Sequence, residues 1–111
     1  MNREDILNLA HQAVAERGKN YGKPNENFER IAQMWSSYTN HPFKLEDVGI
    51  MMMLVKVARL MENPHHTDSW VDIAGYSAIT AEAIADTSDI DIPPLGQQNN
   101  ESNLSEILNA G

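Results

Sequence analysis

The sequence predicts an all-α protein with a four-helix core whose chain neighbours run antiparallel. Three observations carry that prediction. Apolar residues recur at three and four residues through the first, second and fourth segments, the period of a helix with one buried face. The third segment holds a run that is apolar all round, the mark of a helix covered by neighbours. Gly, Pro and Asn punctuate the chain at 18–25, 40–42 and 63–64, leaving connections too short for anything but adjacent packing.

The first helix is expected over 3–17, with Ile6, Leu7, Leu9, Ala10, Ala13 and Val14 on its apolar side and Gly18 as its stop. Residues 18–25 then read as a structured loop, with Asn25 capping a second helix that carries Glu26 in its first turn. Phe28, Ile31, Ala32, Trp35 and Tyr38 give that helix its stripe. Asn40, His41 and Pro42 break it. A third helix is expected from about Leu45 to Glu62, with Glu46 and Asp47 at its N-terminus and the apolar run 48–55 making it the central helix. Asn63 and Pro64 end it, and a fourth should run from near Thr67 to about Asp86.

These four make one helical domain over 1–86. From Thr87 the composition turns polar, with two prolines followed by Gly, Gln and Asn. That is linker composition, and Leu104, Ile107 and Leu108 at helical spacing allow a short docking helix within an 87–111 tail.

Composition sets bounds on function. A chain of 111 residues builds one modest core, burying roughly two thirds of what its unfolded form exposes. With no Cys, disulfide frameworks and thiolate chemistry are excluded. The start, Met-Asn-Arg-Glu-Asp, has no apolar signal core and no stretch suits a membrane span, so the expected location is cytoplasmic, the host cytoplasm if the protein is of phage origin. A net charge of -8 with scattered Lys and Arg argues against nucleic acid as a partner. An acidic protein can still hold an anionic nucleotide through a divalent metal or a few converging cations.

Two clusters carry chemistry. Lys56 and Arg59 are neighbours on one face of the apolar third helix, and each needs an anion to be buried. Asp68 and Asp72, four apart on the next helix, are the expected partners, with Tyr76 on the same face and His65 and His66 nearby. The cluster reads equally as a structural ion-pair network or as a pocket. As a metal site it would use Asp68 and Asp72 as Mg ligands, with Glu46, Asp47, Glu62 or Glu82 as further oxygens. The second cluster is the segment 18–27. Its glycines, the following helix N-terminus and the side chains of Lys19, Tyr21, Lys23 and Asn27 would suit a phosphate, and they serve equally well as a helix-connecting turn.

The combination Arg17-Gly18-x-x-Tyr21-Gly22-x-Pro24-x-x-Asn27, Ile31-Ala32-x-x-Trp35, Asp47-Val48, Lys56-Val57-Ala58-Arg59-Leu60 and Asp68-Ser69-Trp70-Val71-Asp72-Ile73-Ala74-Gly75-Tyr76 resembles a family of short phage and prophage helical proteins. That family is more distantly similar to the MazG-like all-α nucleoside triphosphate pyrophosphohydrolases, in which helix-borne carboxylates hold Mg against a triphosphate. The resemblance implies that Asp72 matches a metal-binding carboxylate. It departs on the preceding helix, where the MazG-like pattern has Glu-x-x-Glu and this chain has Lys56 and Arg59.

Three readings follow. The first is a Mg-dependent nucleotide pyrophosphohydrolase in which Asp68 and Asp72 hold Mg and Lys56 and Arg59 bind phosphate and neutralise its developing charge, with Asp68, Asp72 and Lys56 as the catalytic groups. The second is a non-catalytic oligomer that sequesters a cyclic or modified nucleotide signal used in host immunity. The third is a protein-interaction module. Under each, an apolar flank on helices this short favours a homo-oligomer.

Overall fold

The computed structural model describes residues 1–87, the side chains of Tyr21 and Thr87 excepted, and those residues form four helices and no strand. The tail expected from Thr87 onward, with its docking helix, lies from residue 88 outside the described residues.

The first helix, α1, spans Arg3–Tyr21. Asn2 starts it with a capping box: its side chain accepts from the Asp5 amide at 2.9 Å, and its own amide donates to the Asp5 carboxylate at 3.0 Å. The expected stop at Gly18 is overturned, because α1 runs four residues past the expected end. A glycine inside a helix costs only about 0.5–1 kcal/mol, so it weakens the helix without ending it. Termination comes at Gly22, whose φ of 73° and ψ of -149° lie in a region that side chains with a Cβ avoid. The eight-residue loop expected over 18–25 therefore shrinks to Gly22 and Lys23.

Helix α2 spans Pro24–Thr39, with Pro24 in its first turn and Lys23, not Asn25, in the N-cap position. Proline suits this place because its missing amide would have had no helical partner. At the other end Asn40 adopts a left-handed conformation, and the turn is tied down by Ser36. The Ser36 hydroxyl donates to Ala32 O at 2.7 Å and accepts from the Phe43 amide at 2.8 Å. That holds Phe43 against Trp35, edge to face at 6.0 Å between ring centroids.

Helix α3 spans Leu45–Glu62 and begins with the Asp47 carboxylate accepting from the Lys44 amide at 2.8 Å. Helix α4 spans Thr67–Thr87. The link between them is folded on itself: Asn63 accepts from His65 through its side chain and from His66 through its carbonyl, and Trp70 Nε1 donates to Pro64 O at 2.9 Å. His66 Nδ1 lies 2.7 Å from Ser69 Oγ at the start of α4, so this imidazole serves the helix end.

Helix α4, not α3, is the centre of the bundle. It packs against α1, α2 and α3, while among the described residues α3 meets only α2 and α4, and α1 and α3 do not touch. The core consists of Phe28, Ala32, Val48, Ile79 and Ala83, with Val14, Ile31, Trp35, Phe43, Leu45, Met52 and Tyr76 packed around it. Full burial of a side chain such as Phe28 contributes roughly 1.5–3 kcal/mol. Some residues of the expected stripes face water instead: Leu7 is 62%, Leu9 37% and Tyr38 93% exposed, and Trp70 of α4 is 49% exposed beside its Pro64 hydrogen bond.

Helices α3 and α4 run antiparallel, as Gly49 meets Thr80 at one end of their contact and Lys56 meets Asp72 towards the other. The approach at Gly49 is so close that a Cβ there would fall within 2.7 Å of Thr80 Cβ. Helix α1 lies along α4 in the same direction, because Leu9 shares a cavity with Asp68, Arg17 meets Tyr76, and Gly18 shares a cavity with Glu82.

Candidate functional site

Because α1 and α4 are joined by packing without an intervening loop, a groove runs between them. Its middle is a cavity of about 360 Å³ lined by Val14, Arg17, Val71, Asp72, Tyr76 and Ile79, with Glu16 and Asn20 at its edge. The volume lies in the range of small-molecule sites. Towards the start of both helices the groove continues into a second cavity of about 460 Å³, where Asp68, Asp72 and Glu16 meet the apolar Leu9, Ala13 and Val71. Towards the other end a smaller one of about 150 Å³ carries Arg17, Asn27 and Glu82. The groove is thus acidic at one end and apolar along its walls, with Arg17 and Tyr76 in the middle beside the carboxylates of Glu16 and Asp72.

Asp72 joins the groove to the α3–α4 contact. One of its oxygens, Oδ2, lies 2.9 Å from Lys56 Nζ, and the lysine side chain is 13% exposed where the aspartate is 36% exposed. Lys56 therefore has the anion that its burial requires. Arg59, the other half of the expected cation pair, is exposed on α3 and makes no ion pair with Asp68 or Asp72 among the described residues. Three residues on from Lys56, it lies about 60° round the helix, where its side chain meets solvent.

The middle of the groove rests on Arg17, whose guanidinium carbon lies 5.6 Å from the Tyr76 ring centroid and 5.8 Å from that of Phe28. Two aromatic faces hold its planar group in place, an arrangement that suits Arg better than Lys. The sequence contained a signal for it: Ala13, Glu16, Arg17 and Asn20 share a face of α1 at three- and four-residue spacing, on the side that meets α4.

The remaining expected residues divide. Tyr76 and Asn27 line the groove. Lys19 is exposed and pairs with Glu16 at 3.9 Å, a surface contact of little energetic weight. Lys23 is exposed at the N-cap of α2 and lines none of the three cavities. Tyr21 closes α1, and its side chain lies outside the described residues. Among the described residues no three His, Asp or Glu side chains stand close enough to hold a metal ion by themselves. Nor, among them, is any helix long and apolar enough to cross a membrane.

A family model described as "Domain of unknown function (DUF6378)" matches residues 5–84, which takes in α1 to α4 and every groove residue named above. The chain belongs to the DUF6378 family. Over 76 residues it is 46% identical to the Gene 55 protein of Mycobacterium phage L5, an alignment covering 67% of this chain and 49% of that protein. Over 75 residues it is 43% identical to the Gene 55 protein of Mycobacterium phage D29, covering 67% and 50%. The chain spans about half the length of these curated relatives. No solved structure matches it. Both relatives are phage proteins, which agrees with the phage part of the sequence resemblance.

Proposed function

We propose that this DUF6378 protein is a phage-type nucleotide-binding protein, that the α1–α4 groove takes a nucleoside triphosphate together with Mg, and that it hydrolyses it as MazG-like enzymes do. The observation that carries the reading is the division of one continuous groove. Glu16, Asp68 and Asp72 line its acidic end, and Arg17 and Tyr76 its middle.

Three carboxylates repel a bare triphosphate, so the acidic end calls for a cation travelling with the ligand. Mg is commonly held by one or two carboxylates plus substrate phosphate oxygens, a donor set that Asp68 and Asp72 can complete without a third protein ligand. Bound there, the ion would polarise the phosphate and acidify a water. The chain's own residues do the rest. Lys56 holds Asp72 in one orientation, Arg17 offsets charge developing on the phosphates, and Tyr76 with Val14, Val71 and Ile79 offers an apolar, aromatic wall to the base. Water attacks the α-phosphorus and the α–β anhydride bond breaks. The products are nucleoside monophosphate and pyrophosphate, with one proton released to solvent.

A second reading is favoured by the Lys56–Asp72 ion pair, which already engages one of the two carboxylates. In it the groove binds a cyclic or modified nucleotide without metal and releases it unchanged.

One experiment separates them. The protein is incubated with a panel of triphosphates and cyclic nucleotides, with Mg or with chelator, and the small molecules are followed by mass spectrometry before and after heat denaturation. Mg-dependent monophosphate and pyrophosphate, lost in Asp68→Asn, is the expected result. A nucleotide that disappears in chelator and returns intact on heating supports sequestration instead. If no nucleotide is converted or depleted, both readings fail.

A further inference from the structure

The outer face of α3 is the largest feature that the groove does not use. Ile50, Met51, Leu54, Val55, Val57 and Met61 point away from α2 and α4, each exposing between 38% and 82% of its surface, and Ala58 lies among them. Together they present on the order of 600 Å² of apolar surface, the upper end of what single-chain proteins leave to water. A helix that is apolar all round belongs inside a bundle, and among the described residues only one side of it is covered.

We propose that a second copy of this chain covers the face, its α3 packed antiparallel on the first about a two-fold axis. Two observations select that occupant. The first is charge. A chain of net charge -8 repels its own copies over most of its surface. Between Asp47 and Arg59 the only ionisable residue of α3 is Lys56, which is turned to Asp72, so on this face two copies meet without opposing charges.

The second is complementarity at the ends. With the helices crossing level with Met53, Asp47 falls opposite Arg59 of the partner subunit, and Lys44 opposite Glu62 of the partner subunit. The two-fold repeats both pairs at the other end, as a self-complementary interface requires. An isologous contact contributes the same area from each protomer, and on the order of 600 Å² approaches the ~800 Å² per partner of a standard interface. The pairing also gives Arg59, which has no role in the groove, a place in the assembly.

The test is the mass of the full chain by light scattering over a range of concentrations. The expected result is twice the 12.4 kDa of one chain. Leu54→Glu should give the single-chain mass with an unchanged helical circular dichroism spectrum. Should that variant fail to fold, the exposed Lys44 and Glu62 carry the test: K44E and E62K each weaken the dimer, and together they restore it. Because the chain has no native Cys, Leu54→Cys also supplies a single thiol that a short bismaleimide should link between protomers. A dimer indifferent to Leu54→Glu and to the charge swap overturns the proposal. So does a single-chain mass at every concentration. In that case exclusion of a hydrophobic dye assigns the cover to the chain's own 88–111 segment, and dye binding leaves the face to a foreign partner.

Discussion

Lys56 Nζ and Asp72 Oδ2 stand 2.9 Å apart where α3 crosses α4, and the two side chains are unequally wet, the lysine 13% and the aspartate 36% exposed. Removing either partner therefore does different damage. Asp72→Asn leaves a largely buried ammonium without its anion, whereas Lys56→Met leaves a carboxylate that water can still reach. In urea denaturation Asp72→Asn should cost about 1–3 kcal/mol and Lys56→Met at most about 1 kcal/mol. Equal losses would mean that the pair is solvated evenly.

Gly49 and Thr80 define the closest approach of the same two helices. Gly49→Ala gains helix propensity, roughly 1 kcal/mol, but drives a methyl group into the Thr80 side chain, and overpacking costs about 1–3 kcal/mol. A net loss of stability is expected. In a Thr80→Ala background the contacts with Oγ1 and Cγ2 disappear while the one with Cβ remains, so the loss should shrink without vanishing, a coupling that a double-mutant cycle measures directly.

Gly18 and Gly22 should respond in opposite directions to alanine. Gly18 lies within α1 with nothing near its missing Cβ, so Gly18→Ala should stabilise by about 0.5–1 kcal/mol. Gly22 sits at φ 73°, and Gly22→Ala should destabilise by about 1–3 kcal/mol. Thermal unfolding of the two variants side by side reads the contrast.

Ser36 ties the α2–α3 turn by accepting from the Phe43 amide. Ser36→Ala leaves that amide without its acceptor and should cost about 1–2 kcal/mol. Hydrogen exchange should show the loss as faster exchange at Phe43 and its neighbours, with the middle of α4 unchanged.

Arg17→Met keeps much of the side chain's bulk between Phe28 and Tyr76 while removing its charge. If the groove holds a phosphate ester, the affinity for nucleotide should fall about tenfold or more, the weight of one charge-assisted contact. Stability should change little by comparison. Titration calorimetry against the nucleotide that the panel selects checks both the loss and its confinement to charged ligands.

The sequence by itself determined the four helices. Apolar spacing fixes where each helix begins to bury a face, and Pro24, Pro42 and Pro64 limit how far each can run, so the boundaries of α3 and α4 fall within a residue of where the pattern puts them. The pairing of Lys56 with Asp72 was legible for the same reason: helical spacing placed both groups, and a short connection folded one helix back on the other. The tertiary structure alone decided the rest. A period of 3.6 residues says that a face is apolar without saying what covers it, so α3 looked central when the central helix is α4. Backbone conformation at a glycine is settled by the packing on either side of it, which is why α1 passes Gly18 and stops at Gly22. The groove joins α1 to α4, helices far apart in the chain that run the same way, and no local spacing reports which of two distant faces will meet. That is how Arg17 and Tyr76, almost sixty residues apart, come to share a cavity.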